Sequence, residues 1–156
     1  MGRDGAPLGA GRLIELGLEP APSSWLEMGQ ERIDAFAAAT EDRDRQSIHV
    51  DPEAASRGPF GATVAHGFLT LSLLVHFWNE VAPPRDGCIM INYGLNKVRF
   101  PAPVPAGSRI RGLFRVEGVE QLSGATQAII AARVEREGGD RPVCVAELVL
   151  RFVEDA

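Results

Sequence analysis

A chain of 156 residues, 45% of them hydrophobic, is long enough for one domain with a real core, because a fold near 150 residues buries about 70% of its unfolded surface. A formal net charge of −5, with basic residues scattered rather than grouped with aromatics, argues against a nucleic-acid partner. The longest apolar run, at 64–82, is interrupted by His66, Ser72, His76, Asn79 and Glu80, which is poor material for a membrane span of about 20 apolar residues.

The first twenty residues, "MGRDGAPLGAGRLIELGLEP", lack the continuous apolar core of a signal peptide, and Ala6 stands where a myristoylation signal needs Ser or Thr. Residues 1–23 are expected to form a lead-in to one domain spanning 24–156. The weak alternation in "SSWLEMG" predicts a short first strand. In "QERIDAFAAAT" the residues Ile33, Phe36 and Ala37 fall at i, i+3, i+4, predicting a short amphipathic helix that ends near Thr40, where "EDRDR" begins. "DPEAASRG" has helix grammar of its own: Asp51 can cap, Pro52 suits the first helical position, and Gly58 can close the turn in a left-handed conformation. After the turn residues of "GPFGAT", the stretch "HGFLTLSLLVHFWNEVA" places Phe68, Leu69, Leu71, Leu73, Leu74, Val75, Phe77, Trp78 and Val81 in nearly every direction around a 3.6-residue period. Such a helix must be wrapped by protein, and from His66 to Glu80 it would run roughly 22 Å at 1.5 Å per residue.

Beyond "APPRDG" four long β-rich runs follow: "CIMINYGLNKVRF", "SRIRGLFRVEGVEQL", "ATQAIIAARVERE" and "RPVCVAELVLRFVE". In the second, Ile110, Phe114 and Val116 share a face against Arg109, Arg111, Arg115 and Glu117; in the fourth, Cys144, Ala146, Leu148, Leu150 and Phe152 share another. The short "SG" and "GGD" links imply hairpins and an antiparallel sheet. One curved sheet and one apolar helix suggest that the sheet wraps the helix, an α+β arrangement. Lys97, Arg99, Arg109, Arg111 and Arg115 are the candidates for a local anion patch but read better as exposed strand faces. Cys88 and Cys144 lie in apolar stretches without metal-ligand spacing and read as buried thiols, in keeping with a reducing cytoplasm.

The polar segment before the helix offers Asp42, Asp44, His49 and Asp51, of which Asp51 is accounted for as a cap. Asp44 and His49 are five positions apart, about 17 Å if fully extended, yet "RQSI" followed by an Asp-Pro cap is compatible with a compact turn that joins their side chains. His66 is read as structural, holding the loop before it, and His76 as a satisfied core or interface histidine. No three of Asp, Glu, His and Cys have metal-ligand spacing, and no Gly-rich loop matches a dinucleotide or phosphate fingerprint. Asn92, Tyr93 and Asn96 interrupt an apolar strand and need partners; they either stitch the sheet or line a site, and Asn92 is the better candidate for lining.

Taken in order, "FAAAT", Asp44, "QSIHVDPEAA", "GPFG", "AHGFLTLSLL" and "INYGLNKVRFPAPVPAGS" resemble the MaoC-like dehydratases, above all the branch of nodulation protein NodN and the (R)-specific enoyl-CoA hydratases, over about residues 24–153. The resemblance implies a hot-dog fold, an antiparallel sheet around a long central helix, usually as a homodimer in the cytoplasm. It implies action on acyl-CoA or acyl-carrier thioesters, with no cofactor beyond the CoA of the substrate, no metal, and no nucleic-acid or membrane partner. By position Asp44 is the carboxylate and His49 the imidazole that hold one water and add it across the 2,3 bond of an enoyl thioester, or run the reverse dehydration. Water is a poor nucleophile, so a group must accept its proton as it attacks, and a carboxylate partly buried near an apolar tunnel is a better base. The backbone N–H of Gly67, in the first turn of the helix, is the expected donor to the thioester oxygen.

Three departures qualify the transfer. "TEDRDRQSIH" holds two residues more than the related loops, which makes Asp42 a rival for Asp44; Asp44 is preferred for its spacing to His49. Ser47 replaces a bulkier residue, and Val75 stands where some hydratases have a pocket serine. Two alternatives stay open: a hot-dog thioesterase, against which speaks the lack of a carboxylate in the helix before Glu80, and a non-catalytic acyl-thioester-binding subunit.

Overall fold

The structure, a computed structural model, describes residues 22–43, 47–84 and 87–154. Strand β1 (Leu26–Met28) leads into helix α1 (Gln30–Thr40). Three further short helices follow, α2 (Pro52–Arg57), α3 (Gly67–Ser72) and α4 (Leu74–Val81), and then the long strands β2 (Cys88–Arg99), β3 (Ser108–Leu122), β4 (Ala125–Arg136) and β5 (Cys144–Glu154). The strands form one sheet in the order β1-β3-β4-β5-β2, antiparallel at every pairing. The hairpins expected at "SG" and "GGD" are present, and each turns at a glycine with positive φ, Gly124 at 79° and Gly138 at 70°.

Period-two alternation decides which face of the sheet meets the helices. Ile110 and Phe114 of β3, Ala128, Ile130, Ala132 and Val134 of β4, and Cys144, Ala146, Leu148, Leu150 and Phe152 of β5 are buried. Against them α4 sets Leu74, Phe77 and Trp78, each at most 1% exposed, and each such side chain contributes roughly 1.5–3 kcal/mol by leaving water. Trp78 meets Phe114 edge to face with centroids 5.3 Å apart. Close approach of helix and sheet depends on Gly112: a Cβ there would stand 2.6 Å from Cβ of Phe77. Burial lifts the Cys144 thiol to about 11.

The opposite face of the sheet carries the arginines as expected. Arg109 pairs with Glu137, Arg111 with Glu135 and Arg115 with Glu117. Two residues of the polar trio in β2 also stitch the sheet: Asn96 donates to Glu147, and the guanidinium of Arg151 lies over the Tyr93 ring. Asn92 is exposed on this edge strand, opposite Leu150.

The central helix is present from Gly67 to Val81 as α3 and α4, which meet at Leu73, whose backbone stays in the right-handed helical region (φ −70°, ψ −12°). The bonds Leu73 N–H to Leu69 C=O and Phe77 N–H to Leu73 C=O carry the helix across that residue, while Ser72 Oγ donates to the Phe68 carbonyl at 2.7 Å and Thr70 Oγ1 to that of His66 at 3.4 Å. Two expectations need correction. The helical segment is not enclosed on all sides within one chain: Phe68, Ser72, His76, Asn79 and Glu80 are exposed along one stripe. The second correction concerns Gly58, which ends α2 in extended backbone (φ −82°, ψ 179°) rather than a left-handed turn. Its N–H still caps the Ala55 carbonyl at 3.0 Å, so the glycine meets its capping role without positive φ.

Candidate active site

Three loop ends converge beside the start of α3. The first is the end of α1, where Glu41 adopts the left-handed conformation (φ 59°, ψ 17°), a state costly for a residue with a Cβ. That turn redirects the chain, and the next residue, Asp42, sets its Oδ2 3.5 Å from Nε2 of His66. Asp44 lies outside the described residues.

The second is the turn before α2, which carries His49. Asp51 caps α2 through Oδ1, accepting from Glu53 and Ala54 N–H at 3.0 Å each. Ser47, buried, accepts from the His49 N–H through its hydroxyl at 3.2 Å, and its carbonyl accepts from Asp51 N–H at 3.1 Å. Gln30 of α1 ties this turn to the next segment, donating to the His49 carbonyl at 2.8 Å and accepting from Thr63 Oγ1 at 2.7 Å. The ring is oriented by a 2.7 Å contact between His49 Nδ1 and the Val64 carbonyl. A carbonyl only accepts, so Nδ1 carries the proton and Nε2 of the neutral ring is left as a proton acceptor.

The third is the segment entering α3. His66 is 3% exposed and stacks on His49 with centroids 3.8 Å apart and planes inclined by 26°; Phe36 of α1 packs against it, centroids 5.0 Å apart. Burial, and next the adjacent His49, hold the His66 pKa below the usual histidine value, while Asp42 pulls the other way. The ring is therefore neutral near pH 7. The carbonyl of His66 accepts from Thr70 N–H at 3.2 Å, which directs it along the helix; in a planar trans peptide the following N–H, that of Gly67, points the opposite way, out of the helix start. Phe100 lies over Gly67 so closely that a Cβ there would meet its ring at 2.9 Å.

Asp42, His49 and His66 thus present potential ligand atoms all within 4.8 Å of one another, a grouping that pairwise spacing in the chain does not reveal. It suits protons better than a cation. An imidazole binds a metal in its ring plane at about 2.0–2.1 Å, whereas two planes stacked 3.8 Å apart and inclined by only 26° meet well beyond that reach. What the arrangement offers is a carboxylate and an imidazole nitrogen close enough to share one small polar molecule, next to an outward-pointing backbone N–H.

Of the residues singled out from sequence, His49 and Gly67 lie at this convergence. Val75 is half-buried on α4, and Asn92 is on the exposed edge of β2. His66, read as a loop anchor, is in the cluster itself; its signal was adjacency to Gly67 in "AHGF". His76 is exposed, tilted against Phe77 at 5.5 Å. The described cavities lie elsewhere on the sheet: one of about 790 Å³ between Lys97, Arg99, Arg115, Arg133 and Glu147, and one of about 300 Å³ beside Trp25 and Arg136. Near the site the surface is an open aromatic shelf, Phe68 (69% exposed) against Phe100 (41%), with centroids 6.2 Å apart.

A curled antiparallel sheet packed on a short central helical segment, with a carboxylate, an imidazole and a helix-start amide at one end, defines a hot-dog protein of the dehydratase class. The chain belongs to the MaoC-like domain family, whose model matches residues 14–137. It is 51% identical over 132 residues to 3-hydroxyacyl-thioester dehydratase Z of Mycobacterium tuberculosis (strain ATCC 25618 / H37Rv), covering 84% of this chain and 86% of the relative. It is 43% identical to Nodulation protein N of Rhizobium leguminosarum bv. viciae, covering 86% and 84%. Its fold matches that of the (R)-hydratase from A. caviae involved in PHA biosynthesis, with TM-score 0.67, 24% identity, and coverage of 85% of this chain and 94% of that one. Among the described residues no helix is long and apolar enough to cross a membrane.

Proposed function

We propose that this protein is an (R)-specific enoyl-thioester hydratase, or 3-hydroxyacyl-thioester dehydratase, acting on the 2,3 bond of an acyl-CoA. The observation that carries the reading is the convergence of Asp42, His49 and His66 within 4.8 Å, immediately before the Gly67 amide. The identity to a named 3-hydroxyacyl-thioester dehydratase supports it.

In hydration, the two hydrogens of one water are held by a carboxylate oxygen and by His49 Nε2, both acceptors, so an oxygen lone pair is left facing the substrate. As that oxygen bonds to the β-carbon, one proton passes to the pair and is then delivered to the α-carbon, so H and OH come from a single water. Charge that collects on the thioester oxygen in between is met by the Gly67 N–H. Dehydration is the same path reversed.

Asp42 is the carboxylate supported by position, since the left-handed turn at Glu41 aims it at His66. Asp44 is favoured by its spacing to His49. Paired variants decide between them: loss of turnover in Asp42→Asn with Asp44→Asn active assigns the base to Asp42, and the reverse assigns it to Asp44. The test of the function is loss of enoyl absorbance with graded enoyl-CoA and enoyl-carrier-protein substrates, followed by chiral analysis of the product. Release of free thiol without hydration would make the protein a thioesterase instead.

The partner supported best is a second copy of the chain. Edge strand β2 leaves Ile89, Ile91, Tyr93 and Leu95 exposed at 44–58%, a strand edge of the kind that pairs with another, and the shelf of Phe68 and Phe100 needs a cover to enclose an acyl chain. Light scattering that returns a monomer at micromolar concentration would refute this pairing. One domain from residue 24 onward and a cytoplasmic location remain parts of the same proposal.

A further inference from the structure

We infer that His66 is a positioning residue of the hydration site, holding His49 in orientation through its ring face. The inference rests on the hydratase reading and goes beyond the water-handling pair.

Three contacts bear on it. The His66 ring stacks on His49 at 3.8 Å and packs against Phe36 at 5.0 Å, so it forms a wall that fixes the plane in which His49 Nε2 can point. The Val64 carbonyl holds only one nitrogen of His49 and leaves rotation about that contact open; stacking removes it. The third contact is Asp42 Oδ2, 3.5 Å from His66 Nε2. That contact is too loose for a hydrogen bond, and neither buried ring nitrogen of His66 has a hydrogen-bond partner among the described residues. Leaving two buried polar atoms unsatisfied costs stability, so the ring is not kept here for its hydrogen bonds.

The titratable groups facing His66 are Asp42, from the end of α1, and His49, from the turn before α2; Phe36 supplies its apolar side. A neutral ring in this place adds no charge beside His49, whereas a charged ring would repel any proton arriving there.

The test compares His66→Phe, which keeps a flat ring, with His66→Met, which fills the site without one. For His66→Met we expect kcat to fall between about 10- and 100-fold, the scale of a misaligned reactive group, with KM changed less than about twofold. His66→Phe should keep most of kcat, because its ring can still stack on His49. If His66→Met does not fold, as judged by circular dichroism, His66→Gln replaces it as the variant without a ring. Wild-type kcat in the variant without a ring would overturn the inference; so would equal losses in both variants, which would leave the ring face of His66 no part in positioning. Absence of turnover in the unmodified protein would instead overturn the hydratase reading and this inference with it.

Discussion

The sheet core and the loop site solve opposite problems within one small domain. Under β3, β4 and β5 the helix side chains Leu74, Phe77 and Trp78 are enclosed by apolar partners. A few residues away, His66 is nearly as buried but has ring nitrogens without a hydrogen-bond partner among the described residues, and Glu41 is held in a conformation disfavoured for its residue type. The difference teaches where this molecule concentrates its stability and where it accepts cost. Packing secures the sheet, and the candidate site retains unsatisfied polar atoms and a strained turn at its rim.

Substitutions can break that division, beginning with the chemistry. His49→Ala and Asp42→Asn should each lower kcat by 10²–10⁴-fold, roughly the contribution of a general acid or base, while thermal denaturation midpoints stay close to wild type. A large loss of stability in either would mean that the site also holds the fold together. On the other side of the comparison, Phe77→Ala should destabilise by about 3–5 kcal/mol in urea unfolding, with turnover per folded molecule nearly unchanged.

A milder probe uses pH. Because the folded protein holds the His66 pKa below the ordinary value of 6.5, its unfolded chain takes up a proton first as pH falls. Between 6.5 and the lowered folded value the unfolded state therefore binds more protons, and stability falls with falling pH in that window. His66→Gln should flatten this part of the stability profile, as measured by urea midpoints from pH 7.5 to 5. Smaller still is the effect of Glu41→Gly, which should raise stability by roughly 1 kcal/mol because glycine tolerates the left-handed turn; no gain would mean that Glu41 contacts offset the strain. The smallest change is expected from Thr70→Val, which removes the hydroxyl bond to the His66 carbonyl while the Thr70 N–H keeps its own. It should cost no more than about 1 kcal/mol and lower kcat slightly if the aim of the Gly67 amide shifts.

Much of this could be read in the chain alone. Alternating apolar positions in β4 and β5, the glycine-bearing links between strands, the Asp-Pro start of α2 and the apolar face of α1 all follow from local chemistry acting over a few residues. So does the candidacy of His49 and Gly67, since ordered motifs place them on a loop and at a helix start. The exposed stripe on α3 and α4 was not legible from periodicity, because the side from which the sheet covers a helix is set by neighbours distant in sequence.

Local propensity and pattern, then, determined the elements, their hairpin connections and the type of chemistry on offer, because each depends on residues that are close along the chain. Only the folded arrangement decided that Asp42 and His66 stand beside His49, twenty-four positions apart from end to end. That choice is made by the left-handed turn after α1, the hydrogen bonds of Gln30 and Val64, and the packing of Phe36. Each is a contact across the fold whose geometry no spacing in the sequence specifies.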